Sequence, residues 1–132
     1  MLSRTMLLVL ALISVTLPRA HAAGRWDYGF DGGWMRVLLD VDQTQQTITG
    51  KVYQTTPGGS NSILIDDLKV ANGGNSYVLY GLITSGTFKV GLGKLEFTVG
   101  DLFVLTVSKD GVHASLMLQN PTSTWTSPLT WF

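Results

Sequence analysis

The 132-residue sequence predicts an all-β protein, a single antiparallel up-and-down barrel of about eight strands after an N-terminal signal peptide. Three observations predict this class. Short runs alternate apolar and polar residues, turn residues separate these runs, and no run keeps the 3.6-residue apolar period of a helix. Sequential hairpins favour closure because a closed barrel has no exposed edges, and a β-sandwich is the alternative.

Residues 1–22 have the pattern of a Sec-type signal peptide. A basic residue precedes the apolar run Met6–Val15, and Ala22 completes an A-x-A cleavage site before Ala23. The apolar run is too short to span a bilayer, which needs about 20 residues, and an uncleaved anchor is the alternative. We therefore expect an exported protein, periplasmic or secreted, whose β-barrel domain covers residues 23–132.

Charge and cysteine content exclude several classes of partner. Removal of the signal peptide takes away Arg4 and Arg19 and leaves seven basic and nine acidic residues. A mixed, weakly acidic surface predicts no nucleic-acid partner and no stable membrane insertion. The chain has no cysteine, which suits a bacterial periplasm better than a small extracellular eukaryotic domain. The fold must then depend on its hydrophobic core.

The first strands are predicted as consecutive hairpins. Arg25–Phe30 and Trp34–Val41 flank Asp-Gly-Gly, whose glycines supply the positive φ of a tight turn. A polar turn then leads to the third strand, Thr47–Tyr53. The second strand has an apolar face that we expect to lie in the core: Met35, Val37, Leu39 and Val41.

The remaining strands are shorter and more irregular. Residues 54–62 form a loop, because Pro57 and the glycines after it do not suit a central strand. Ile63–Ala71 is predicted as one strand with a bulge at two aspartates. Alternation in the stretch after Gly93 points Val99 to the core. The other predicted strands are Ser76–Leu82, Thr87–Val90, Lys94–Val99, Leu102–Val107, Val112–Leu118 and Trp125–Phe132.

Few residues are typical of catalysis or metal binding. His113 and Ser115 lie on the same side of a predicted strand, but apolar residues take its inner side, so this pair is interpreted as a polar row in solvent. Asp40 opens a pattern that resembles a calcium loop. Its sixth and twelfth positions are Gln45 and Lys51 instead of glycine and a carboxylate. We therefore expect no enzymatic activity, no metal and no cofactor.

The aromatic residues are the remaining candidates for a site. In a small barrel they are typical of the core or of plugs at its ends, but some of them can line a cavity for an apolar ligand. The candidate ligand-binding residues are Trp26, Trp34, Tyr53, Tyr80 and Trp125.

Two short motifs resemble those of known barrels. "GRW", Gly24–Trp26, resembles the G-x-W start of lipocalin- and avidin-type (calycin) barrels. "ITGKVY", Ile48–Tyr53, resembles the T-G-x-Y pattern in the third strand of avidins. The chain does not match the tryptophan-lined biotin pocket, so the resemblance implies a lipocalin-like barrel without biotin binding.

A longer stretch looks like a β-rich accessory domain found in some secreted bacterial serine hydrolases. That domain has a tryptophan in its first strand, a glycine-containing return strand, the pattern I-x-(I/V)-(D/E) and a closing tryptophan followed by Pro-Leu. This resemblance implies a non-catalytic, lipocalin-like module. The matching positions are Trp26, Gly50, Ile65, Asp66, Trp125, Pro128 and Leu129.

The sequence leaves four functions open. The first is a non-catalytic module that binds a small, largely apolar ligand. The second is a structural or protein-interaction barrel with a filled core, acting as a homo-oligomer or with a protein partner. The third, an outer-membrane barrel, needs strands of about 9–11 residues, longer than most predicted here. The fourth is a barrel enzyme of the isomerase or cyclase type, which needs few titratable groups.

Overall fold

The computed structural model describes residues 25–54, 61–91 and 93–132. The predicted signal peptide, residues 1–22 with cleavage between Ala22 and Ala23, lies outside the described residues. Among the described residues no helix is long and apolar enough to cross a membrane. The described chain forms eleven strands: β1 (Arg25–Asp31), β2 (Met35–Asp42), β3 (Thr47–Gln54), β4 (Ser62–Ile65), β5 (Lys69–Asn72), β6 (Ser76–Leu82), β7 (Ser85–Val90), β8 (Leu95–Thr98), β9 (Leu102–Ser108), β10 (His113–Gln119) and β11 (Thr124–Trp131).

All eleven strands belong to one antiparallel sheet that curls into a half-barrel. The order across the sheet is β5-β6-β9-β10-β11-β1-β2-β3-β4-β7-β8. The seven strands from β9 through β11 and β1 to β4 follow one another as sequential hairpins, with β11 paired to β1. The all-β prediction is therefore confirmed. The predicted count of about eight strands is wrong: the described sheet has eleven, of which β5–β8 lie on the two flanks of this sequential part.

The predicted single strand at residues 63–71 is two strands that meet at a corner. β4 pairs with β3, whereas β5 pairs with β6 on the other flank. Between them the Leu68 amide donates to the Ile48 carbonyl over 2.9 Å, and the Leu68 side chain is buried. The two aspartates before Leu68 therefore mark a change of strand partner instead of the predicted bulge.

The core occupies the concave side of the sheet. Burial alternates along β2, and the predicted inner face of Met35, Val37, Leu39 and Val41 is buried as expected. Neighbouring strands bring their inner residues into line, so that Val37 lies between Phe30 and Val52. The concave side is therefore filled by side chains. Its largest aromatic residues are all fully buried: Tyr28, Phe30, Phe88, Phe97 and Phe103.

The two flanks of the half-barrel meet at the link between β6 and β7. The Ile83 amide donates to the Asp101 carbonyl, and the Gly100 amide donates back to Ile83, each over 2.9 Å. One residue further on, the Thr84 amide and hydroxyl both donate to the Leu64 carbonyl, at 2.8 and 2.9 Å. Consecutive residues therefore tie the β8–β9 turn to β4.

The structure corrects one predicted core residue. Val99 is 59% exposed, because β8 ends at Thr98 and the chain turns there. The Thr98 amide donates to the Asp101 carboxylate over 2.8 Å, and Gly100 takes a φ of +92°. The turn therefore ends the alternation one residue before Val99.

Candidate functional site

Three aromatic rings meet where the β7–β8 hairpin approaches β11. Trp34 stacks on Phe88 with centroids 5.9 Å apart and ring planes 17° apart. Trp125 tilts against both rings, at centroid distances of 5.9 and 6.1 Å. Phe88 is fully buried, whereas Trp34 is 39% exposed. The buried ring of Phe88 therefore supports one face of an indole that reaches solvent.

The tight turn between β1 and β2 positions Trp34. The Asp31 carboxylate accepts from the Gly33 amide over 2.6 Å, and the Gly32 amide donates to the Met35 carbonyl over 2.9 Å. Gly33 takes a φ of +93°, a conformation that favours glycine. The predicted hairpin turn is thus confirmed, and it places Trp34 directly before the buried Met35.

A cleft of about 570 Å³ opens to solvent beside Trp34. This volume lies within the range of about 300–1,000 Å³ typical of small-molecule sites. The described lining combines an aromatic ring, two primary amides, one ammonium group and two glycines. The lining residues are Trp34, Gln54, Asn61, Lys89, Val90, Gly91 and Gly93.

A side-chain hydrogen bond among the lining residues joins β3 to β7. The side-chain amide of Gln54 donates from Nε2 to the Lys89 carbonyl over 2.6 Å, and the Gln54 backbone amide donates to the Asn61 carbonyl over 3.1 Å. The first bond fixes the plane of the Gln54 amide. A primary amide has two donor hydrogens and an acceptor oxygen. Gln54 therefore retains a donor and an acceptor for a ligand or for water.

The five predicted ligand-binding residues lie in different parts of the molecule. Trp34 lines the cleft, and Trp125 packs against Trp34. Tyr53 lies on the outer face of β3, where Lys51 Nζ is 5.5 Å from its ring centroid. Tyr80 lies on the outer face of β6, and Trp26 belongs to β1 opposite Val41.

Sequence reasoning missed the ring that supports Trp34 and, among the lining residues, every polar side chain: Phe88, Gln54, Asn61 and Lys89. Gln54 and Lys89 are 35 positions apart and meet only because β7 returns beside β4. No local pattern shows that return. The available signal was the position of Gln54 and Asn61 at the two ends of the predicted loop, which brings them close together.

Tyr80 contributes to a second, shallower cleft of about 360 Å³ on the outer face. Its apolar wall is formed with Leu82 and Leu102, which pair across β6 and β9. Asp67 and Lys69 form an exposed ion pair of 3.4 Å at its edge. Leu82 is 56% exposed, so this outer face carries an apolar strip.

His113 and Ser115 face solvent on β10, as predicted. The Ser108 hydroxyl donates to Asp110 in the preceding turn, and the Val112 amide donates to the same carboxylate over 3.0 Å. These two hydrogen bonds lower the pKa of Asp110 below its usual range. The cluster stabilises a turn. Within the described ranges, no group of three or more His, Asp or Glu side chains is arranged to hold a metal ion.

No protein-family model, curated protein or solved structure gives a significant match to this chain. The geometry of the described residues is therefore the basis for the function proposed below.

Proposed function

We propose that this chain is a non-catalytic module of an exported protein and that it binds a small molecule in the cleft beside Trp34. The observation that carries the proposal is a partly exposed indole, supported from behind by the buried Phe88, at the edge of a cleft of ligand size. The signal-peptide pattern in residues 1–22 supports export.

The filled core supports a site at the surface instead of one inside the sheet. Side chains occupy the concave side of the sheet, with Phe30, Phe88 and Phe103 all at 0% exposure. A ligand that entered this core would have to displace packed rings, each of which contributes about 1.5–3 kcal/mol by its burial. The apolar part of the ligand therefore contacts the exposed indole of Trp34.

The seven sequential strands support a lipocalin-like architecture for the module. Within that part the first and last described strands of the chain, β1 and β11, pair with each other, as they do when a meandering sheet closes. The added strands β5–β8 form the flanks, and the β7 flank brings Phe88 and Lys89 to the cleft. The β7–β8 hairpin is thus the added part of the fold that contributes to the proposed site.

A structural or protein-interaction barrel is the second candidate. The filled core favours it, and so does the outer apolar strip in which Tyr80 is 38% and Leu82 is 56% exposed. Such a protein would use the outer face of β6 and β9 in contacts with another chain, and Trp34 would have no ligand.

Native mass spectrometry tests the two candidates together. The chain from Ala23 onward is exported to a periplasm and purified without detergent. The binding module predicts a mass excess that disappears on denaturation, is reduced in Trp34→Ala and is retained in Tyr80→Ala. Tyr80 is the matched control, because it is 38% exposed against 39% for Trp34 and lies on the outer face. A bare mass in an oligomer that Tyr80→Ala dissociates would support the second candidate instead.

A further inference from the structure

The wall of the cleft combines one flat apolar surface with neutral polar groups. Trp34 provides the flat surface, whereas Gln54 and Asn61 provide primary amides. Val90 is 5% exposed and adds little area, and the two glycines add no side chain. A purely apolar ligand would cover amide groups without giving them hydrogen bonds, which costs about 1–3 kcal/mol for each buried group.

A sugar ring has the complementary chemistry. One face of a pyranose ring presents C–H groups, which pack on an aromatic ring through dispersion. Its edge presents hydroxyl groups, each of which both donates and accepts, as a primary amide does. We propose that the cleft beside Trp34 binds a carbohydrate, with one neutral or carboxylate-bearing pyranose ring on the indole. This inference rests on the function proposed above and names its ligand class.

The Trp34 indole is already held in position by its neighbours before the ligand binds. Phe88 supports the indole in a stack with ring planes 17° apart, and Trp125 contacts both rings. The Gln54 amide is fixed by its 2.6 Å bond to the Lys89 carbonyl. Fixed groups lose little conformational freedom on binding, each mobile side chain otherwise costing about 0.5–1.5 kcal/mol. The cleft is also open to solvent, so a bound ring can carry further sugars that extend outward.

Charge narrows the class of sugar further. The described lining has no carboxylate and a single cation, the exposed Lys89. A protonated amino sugar would find no counter-charge there, whereas a sugar carboxylate would be attracted. Because water and salt screen an exposed ammonium group, we expect a preference of only about 2–5-fold for an acidic over a neutral chain.

Isothermal titration calorimetry of the chain from Ala23 onward tests the inference. The probes are cellohexaose, chitohexaose, a galacturonate hexamer and, as an apolar probe, decanoate. We expect at least one hexasaccharide to bind with a Kd on the order of 10 µM to 1 mM, the range for an open site with one aromatic platform. Trp34→Ala should weaken that binding at least about tenfold, Trp34→Phe should restore part of it, and Tyr80→Ala should leave it within about twofold.

The charge on Lys89 has a separate test. Lys89→Gln should weaken galacturonate binding by about 2–5-fold and leave the neutral hexasaccharides unchanged. Lys51→Gln, on the outer face of β3, is the matched control and should change neither. An equal loss for neutral and acidic sugars would contradict the role given to the Lys89 charge.

The outcomes separate the inference from the function beneath it. Binding of decanoate but of no hexasaccharide, with loss in Trp34→Ala, would overturn the carbohydrate inference and leave the binding module standing. Failure of all three hexasaccharides would overturn the carbohydrate inference in any case, and a bare native mass besides would overturn the binding module as well. Hexasaccharide binding that is equal in wild type, Trp34→Ala and Trp34→Phe would place the sugar elsewhere and overturn the inference. Thermal unfolding of each variant checks that it remains folded.

Discussion

Replacement of Phe88 by alanine should lower the free energy of unfolding and also remove the ring that supports Trp34 at the cleft. The Phe88 ring is completely buried and contacts both Trp34 and Trp125. Its removal creates a cavity in the core, for which a Phe→Ala change costs about 3–5 kcal/mol. About 1–3 kcal/mol of this comes from the two aromatic pairs, at about 0.5–1.5 kcal/mol each. The free energy of unfolding of a domain is typically about 5–15 kcal/mol, so we expect part of the variant population to remain folded.

The assay is urea unfolding followed by tryptophan fluorescence, with Phe103→Ala as the matched control. Phe103 is also fully buried, but it lies on β9 near Gly50, and no described ring contact joins it to Trp34. We expect a similar loss of stability from both variants, whereas only Phe88→Ala should change the emission of the folded state and weaken ligand binding. Phe88→Leu should keep most of the stability and lose the stack. A loss of less than about 1 kcal/mol for Phe88→Ala beside a loss of about 3–5 kcal/mol for Phe103→Ala would contradict the packing described for Phe88.

Three further predictions concern turns and close contacts. Gly33→Ala should lower the free energy of unfolding in urea by about 1–2 kcal/mol, because φ is +93° there. No atom lies within 4 Å of the added methyl group, so the loss reports the backbone conformation alone, and an unchanged midpoint would contradict that conformation. Gly81→Ala should cost about 1–3 kcal/mol, because a methyl group there would lie 2.7 Å from the Asp67 carbonyl oxygen; a neutral result would mean that the β4–β5 corner yields freely. Hydrogen bonds depress the pKa of Asp110 in the folded state, so they stabilise the fold above about pH 4 and this stabilisation is lost as the pH falls through the folded pKa. Asp110→Asn should therefore be less stable than wild type at pH 7, and the difference in free energy of unfolding between the two proteins should become smaller below pH 4. An NMR titration in which the Asp110 carboxyl has its usual pKa would contradict these hydrogen bonds to Asp110.

The alternating strands were predictable because one face of each is buried. A period of two assigns every second residue of β2 to the core, and the turn chemistry of Asp31-Gly-Gly fixes where that strand begins. These are local signals. They identify the element and its inner face without knowledge of the strand beside it.

The change of partner after β4 was not predictable from the local pattern. The alternation breaks at two exposed aspartates between the buried Ile65 and Leu68, but such a break fits a bulge in one strand as well as a corner between two. The corner depends on the bond from the Leu68 amide to Ile48, 20 positions earlier in the chain. A pattern read along one segment does not contain such a bond, and two strands were therefore counted as one.

The candidate site was predictable only where the chemistry of a single side chain identifies a residue, and not where strand pairing brings residues together. Trp34 and Trp125 were identified by their chemistry, because large aromatic side chains are typical of ligand contacts. Phe88 and Lys89 come to the cleft only through the pairing of β7 with β4. Tyr53 and Tyr80 have the same chemistry as the residues of the site but point to the outer face, a direction set by register.

The most direct test of ligand binding beside Trp34 is a ¹H–¹⁵N spectrum of the indole groups during titration with each of the four probes. The chain has four tryptophans, and Trp34→Phe assigns the signal of Trp34. We expect a probe that binds to shift the Trp34 indole signal and to leave unchanged the signal of Trp131, which packs against Phe30 away from the cleft. A probe that binds and moves the Trp131 signal but not that of Trp34 would contradict a binding site beside Trp34, as would a Trp34 signal that no probe moves.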